Sequence, residues 1–122
     1  MQENREVLIV DDDPTHLKIY GWILNTAGFD ALPVLVRGRK IDIPKNHLFN
    51  LAVLDYRLRA DLTAVDAAKL INEICPGTPI ILLSDSVAIP DDIAPYVKTF
   101  VRKGEPEQLL AAARKYATPA QS

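Results

Sequence analysis

A single cysteine, Cys75, stands among 122 residues, so no internal disulfide can form, and a reducing, cytoplasmic setting is the expectation. Long hydrophobic runs are absent too. Runs such as residues 7–10 and 80–83 are strand-sized and far short of the roughly 20 apolar residues that a membrane-spanning helix needs. The N-terminus, Met1-Gln-Glu-Asn-Arg-Glu, lacks the basic-then-apolar order of a signal peptide. Lys and Arg number 14 against 16 Asp and Glu, a formal net charge of −2. The two signs are mixed along the chain without a basic stripe, so neither direct nucleic-acid binding nor a membrane role is expected. No internal repeat, low-complexity segment or interdomain linker interrupts the pattern.

The composition that remains is that of an ordinary globular domain, 48% hydrophobic and 25% charged. One domain over residues 1–122 is expected, its core at 5–117 and residues 118–122 a loose tail. Short β-branched runs alternate with longer amphipathic stretches. Residues 7–10 read as a buried strand that stops at Asp11-Asp12-Asp13-Pro14. Asp13 then Pro14 is a helix start, an N-capping acid followed by a residue with no N–H to leave unpaired. The helix over 15–27 carries Leu17, Tyr20, Leu24 and Ala27 on one face and stops at Gly28. Residues 29–36 form a second strand, which Pro33 assigns to a sheet edge because it removes a ladder donor.

Pro44 interrupts residues 37–50, so any helix there is short or irregular. Strands follow at 51–54, 80–83 and 99–102, with helices at 64–75, 91–96 and 106–116. The helix at 64–75 has helical spacing through Val65, Ala68 and Ile71 or Leu70. Strands alternating with helices imply a parallel sheet covered by helices on both faces, because parallel strands need crossover connections.

The functional signal lies in where the polar residues fall. Three apolar strands end on polar groups, at Asp11-Asp12, Asp55 and Ser84, and Lys103 follows the last strand. In open α/β sheets the carboxyl ends of the strands share one edge, where ligands bind. Two carboxylates about 4 Å apart repel by roughly 4 kcal/mol at an effective dielectric near 20. Gathered acids therefore need a divalent cation, a lysine or a proton. Mg²⁺ suits an all-oxygen site and commonly bridges to phosphate. Acids, metal, amine and hydroxyl together make a phosphoryl-transfer site, in which positioning and charge neutralisation do most of the catalysis.

The segments VLIVDDDP, LAVLDYRLR, IILLSDS and FVRKGEP, in this order and spacing, resemble the CheY-like receiver domains of two-component response regulators. The similarity covers roughly residues 5–117. It implies a doubly wound (βα)5 three-layer α/β sandwich, flavodoxin-like, with a parallel five-stranded sheet of order 2-1-3-4-5. It implies that Asp55 accepts the phosphoryl group and that Asp12 is a direct Mg²⁺ ligand. Asp11 holds the metal through water, and the backbone carbonyl of Arg57 is a further ligand. Lys103 pairs with the phosphoryl oxygens, Ser84 turns inward to bond them, and Phe100 changes rotamer with Ser84. The implied partners are a sensor histidine kinase or a histidine phosphotransfer protein, then an unidentified downstream protein; a homodimer is left open.

Several positions depart from that family. Asp85 follows Ser84 where a small residue is usual, and an acid there repels an incoming phosphoryl group. Gly104 follows Lys103 in place of a cis-linked proline, which puts the aim of Lys103 in question. The run Leu58-Arg-Ala-Asp-Leu-Thr-Ala lacks the usual proline and glycine and is one residue longer. Arg57 and Ser86 occupy positions that tune dephosphorylation, and an Arg57 that holds a phosphoryl oxygen slows decay.

Each residue also has a plainer reading. Asp13 is a cap, Asp11 and Asp12 turn acids, Asp55 a strand-end acid, Ser84 a strand-end hydroxyl and Phe100 a core residue. His16, His47 and Cys75 read as ordinary surface residues, and Trp22 as packing.

Three functions compete. The first is a phosphorylation switch that modifies itself and turns over no separate substrate, so not an enzyme in the usual sense. The second, motivated by Asp85 and Gly104, is an interaction module of the same fold that is poorly phosphorylated. The third is a haloacid-dehalogenase-type phosphotransferase, which wants a second aspartate where Arg57 stands. Dinucleotide binding is excluded by an acidic turn with no Gly-rich loop after the first strand.

Overall fold

The computed structural model describes residues 5–45, 47–58 and 62–117. The expected loose tail at 118–122 and the middle of the 58–64 run lie outside them. Five strands, β1 (Glu6–Asp11), β2 (Asp30–Leu35), β3 (Leu51–Asp55), β4 (Ile80–Ser84) and β5 (Thr99–Arg102), form one sheet of order β2-β1-β3-β4-β5. Every pairing is parallel. β3 and β4 are buried at every position and β1 at all but its first residue, as sheets covered on both faces require. β2 pairs with β1 alone at the edge, where Pro33 lies opposite Ile9.

The sheet separates two cores by the period-two alternation of its strands. Val7, Ile9, Leu51, Val53, Ile81, Leu83 and Val101 meet helix α1 (Pro14–Thr26) through Leu17, Tyr20 and Leu24. They also meet α3 (Pro106–Tyr116) through Leu109 and Ala113. Leu8, Val10, Ala52, Leu54, Ile80 and Leu82 face the other way, onto Ala64, Ala67, Ala68 and Ile71 of α2 (Ala64–Ile74). The buried stripe of α2 therefore runs through its alanines, with Val65 and Leu70 only partly covered. Thr63 and Asp66 close a capping box at its start.

Two of the crossovers lack an α-helix among the described residues. Residues 37–40 close a tight antiparallel turn in which Arg37 and Lys40 exchange backbone hydrogen bonds of 3.0 and 2.8 Å. The irregular chain beyond inserts Ile41, Ile43 and Phe49 into the α2-side core, so apolar side chains replace a helix there. The helix expected at 91–96 is reduced to turns on the Pro90 carbonyl and a 3₁₀ helix at Ala94–Tyr96. Pro95 explains this: its ring blocks the carbonyl four residues back and it has no N–H to donate.

Two plain readings change. Trp22, expected to pack, is 69% exposed. Cys75, expected at the surface, is buried, and burial raises its thiol pKa. Replacing Ile71, which is fully buried, by alanine is expected to cost about 2–5 kcal/mol in urea unfolding. Trp22→Ala is expected to stay within about 0.5 kcal/mol of the parent.

Candidate functional site

The alternation that builds the two cores also selects the site. Asp11 ends β1 on the side of Val7 and Ile9, and Asp55 ends β3 on the side of Leu51 and Val53. Lys103, one residue past β5, keeps the phase of Val101. All three thus emerge at one corner of the sheet's carboxyl edge, on the α1/α3 side. The Lys103 ammonium lies 2.8 Å from Asp55 Oδ1. The same oxygen accepts a 3.1 Å hydrogen bond from the Arg57 N–H. Both acids are buried, Asp11 1% and Asp55 2% exposed.

A cleft of about 430 Å³ opens above them, lined by Asp12, Asp13, Pro14, His16, Asp55, Arg57, Asp85 and Lys103. Burial first, and the charge of Asp55 second, push the Asp11 carboxyl from 3.8 up to about 8. Asp11 Oδ1 accepts from the Asp13 N–H at 3.1 Å. Asp11 Oδ2 is buried with no hydrogen-bond partner. An orphaned buried carboxylate oxygen beside a second acid is the environment that a hard divalent cation satisfies, and the oxygen donors fit Mg²⁺. Asp11, His16 and Asp55 each bring one ligand atom to within 4.8 Å of the others.

The remaining predicted residues divide. Asp12 and Arg57 border the cleft. Ser84, buried at the end of β4, has the opposite phase and lies outside the cleft lining; its hydroxyl accepts from the Ser86 N–H at 3.0 Å. Phe100 sits opposite Leu82 on β5, half-buried against the α2-side core. Asp13 Oδ1 caps α1 through the Thr15 N–H at 2.9 Å.

The departures resolve unequally. Gly104 adopts φ +82°, and no cis peptide bond occurs among the described residues. This left-handed glycine turns the chain after Lys103 without proline, and the amine still reaches Asp55. Asp85 stands on the cleft wall, so its negative charge faces whatever enters.

His16, read from sequence as a surface residue, belongs to the site. Its Nδ1 is buried 3.4 Å from Asp11 Oδ2, and its Nε2 lies 3.6 Å from Asp13 Oδ2. The available signal was its place in the first helical turn after an acidic strand end. That turn overhangs the cleft.

No family model matches the chain. Over 91% of its length it superimposes on a CheY-like response regulator receiver domain protein from Methanospirillum hungatei JF-1. The TM-score is 0.75, at 22% identity and 91% coverage of that chain. The chain has the CheY-like receiver fold. The same receiver fold occurs in the sensor histidine kinase PA1611 of Pseudomonas aeruginosa PAO1, whose structure has a magnesium ion coordinated in the active site cleft. That match has TM-score 0.72 and 16% identity, over 93% of this chain and 98% of that one. In sequence, 88 residues, 72% of the chain, are 27% identical to the transcriptional regulatory protein GlrR of Escherichia coli K12. The chain spans a fifth of that relative's length. No helix among the described residues is long and apolar enough to cross a membrane.

The raised Asp11 pKa gives this receiver fold a pH-dependent stability. Between 3.8 and about 8 the folded metal-free state holds a proton on Asp11 that the unfolded chain has released. Stability from this group is therefore complete below pH 3.8 and lost as pH rises through about 8. Thermal melts in EDTA are expected to show Tm falling from pH 5 to pH 8, with the slope reduced in Asp11→Asn. Saturating Mg²⁺ is expected to raise Tm more at pH 8 than at pH 5.

Proposed function

We propose that the chain is a phosphorylation-dependent switch whose acceptor is Asp55. The observation that carries this reading is the Lys103 ammonium, 2.8 Å from a buried Asp55 carboxylate that shares its strand edge with Asp11. A carboxylate oxygen of Asp55 attacks the phosphorus of a phosphohistidine on a sensor histidine kinase or histidine phosphotransfer protein. The P–N bond breaks, its electron pair stays on the imidazole, and an acyl phosphate forms on Asp55. Charge spreads over the equatorial phosphoryl oxygens in the transition state. Lys103 neutralises part of it, while the Arg57 N–H fixes the carboxylate that attacks.

Mg²⁺, when bound, supplies the remaining positive charge and orients the phosphoryl oxygens. Asp12 and Asp55, with the Arg57 backbone carbonyl, would hold it directly and Asp11 through water. Hydrolysis of the acyl phosphate by water restores Asp55, and the Arg57 side chain at the cleft wall slows that step. Ser84 and Phe100 pass the change to a partner-binding face. The output then goes through protein contacts, with the chain turning over no separate substrate and working in the cytoplasm. GlrR, a transcriptional regulatory protein, is about five times as long as the stretch it shares with this chain, so the match carries no reading of transcriptional output.

A second reading keeps the fold as an interaction module that is poorly phosphorylated. Asp85, on the wall of the cleft, favours it. Intact mass after acetyl phosphate and Mg²⁺ separates the two. One added phosphoryl group, absent in Asp55→Asn, is the expected result. Lys103→Ala is expected to slow its appearance on the order of 10²-fold, the usual effect of removing one charge-stabilising donor. An unmodified parent chain under every donor would leave the interaction module as the better account.

A further inference from the structure

We infer that His16 Nδ1 is a ligand to a divalent cation in the Asp11–Asp55 cleft, and that it turns this site toward imidazole-accepting cations such as Zn²⁺ and Co²⁺. The inference rests on the cleft being a cation site. It assigns to that site a nitrogen donor that an all-oxygen Mg²⁺ pocket does not need.

Three observations meet at this residue. Nδ1 is buried without a hydrogen-bond partner although the His16 side chain as a whole is 38% exposed. The atom it faces, Asp11 Oδ2, is likewise buried and unpartnered, 3.4 Å away. The two atoms stand within ion-pair range but form no hydrogen bond; buried polar atoms left so are costly, and a cation between them satisfies both. The spacing suits this. Nitrogen and oxygen ligands bound at about 2.1 Å and separated by a tetrahedral angle lie about 3.4 Å apart. Asp55 completes the group, all three ligand atoms lying within 4.8 Å of one another.

The ring is also oriented as a ligand would be. Nε2 faces the Asp13 carboxylate at 3.6 Å, and metal-bound histidines characteristically turn their second nitrogen to a carboxylate. Asp13 is itself fixed as the N-cap of α1, and Pro14 opens the helix, so the first turn carrying His16 is held over the cleft. One imidazole among oxygen donors shifts selectivity, because Mg²⁺ keeps to oxygen ligands while Zn²⁺ and Co²⁺ accept nitrogen. The other histidine provides an internal contrast. His47 stacks on Phe49 at 4.4 Å and pairs with Glu6, away from the acids.

The test is a Zn²⁺ titration of the ¹⁵N-labelled chain followed by long-range imidazole ¹H–¹⁵N spectra, with calorimetric titrations of Zn²⁺ and Mg²⁺ into the parent and His16→Leu. The expected result is a shift of His16 Nδ1 to the metal-bound range while His47 stays still. His16→Leu should weaken Zn²⁺ binding at least about tenfold and change Mg²⁺ binding less than about twofold. Zn²⁺ bound with an unmoved His16 Nδ1, or both cations weakened alike, would overturn the inference and leave the cation site standing. A parent chain that takes up neither cation would remove the site and the inference together. The spectra are read on the unmutated protein, so a misfolded variant does not decide the matter.

Discussion

Two carboxylates, Asp11 and Asp55, are buried side by side at the end of a parallel sheet. Left alone they would repel by several kcal/mol, and neither faces enough water to relieve the strain. The surrounding structure answers that repulsion. Lys103 stands at 2.8 Å, backbone N–H groups of Arg57 and Asp13 each bond one acid, and burial first, with the charge of Asp55 second, raises the Asp11 carboxyl to about 8. What remains is one buried oxygen, Asp11 Oδ2, that has no hydrogen-bond partner and faces His16 Nδ1 at 3.4 Å. A pocket with residual negative charge and a fixed amine is suited to a cation and a phosphoryl group together, and poorly suited to being empty of both.

The sheet puts these groups together with little help from the loops. Because side chains alternate along a strand, the residues that pack on α1 and α3 determine which strand-end residues follow on the same side. Asp11, Asp55 and Lys103 inherit the phase of Ile9, Val53 and Val101. Ser84 inherits the phase of Leu82 and so turns away, its hydroxyl engaged by Ser86. If Ser84 takes part in a phosphorylated state, the β4 end must rearrange. Gly104 illustrates a different economy. Its φ of +82° provides the reversal after Lys103 with no proline at that position. Nothing stands where a Cβ would project, so the constraint is on backbone conformation and not on space.

The sequence pattern disclosed the sheet and its edge because local periodicity and a single Pro33 encode them. It disclosed the acids and Lys103 because each terminates an apolar run. It said little about residues 37–50, where burial of Ile41, Ile43 and Phe49 comes from tertiary packing without a helical repeat. The stretch at 91–96 looked helical by composition, but Pro90 and Pro95 hold it to turns. His16 escaped notice because a lone histidine on a helix looks alike whether its ring faces solvent or an acid, and only the angle of α1 over the sheet distinguishes them. Trp22 is the reverse case, a large aromatic whose position on α1 faces outward.

The most direct measurement of the central claim is ¹⁹F NMR of the chain with beryllofluoride, a mimic of the phosphoryl group, in the presence and absence of Mg²⁺. Bound fluoride resonances that appear only with Mg²⁺, and vanish in Asp55→Asn, are the predicted result. Resonances that persist without Asp55, or none at all from the intact chain at saturating Mg²⁺, would contradict the account.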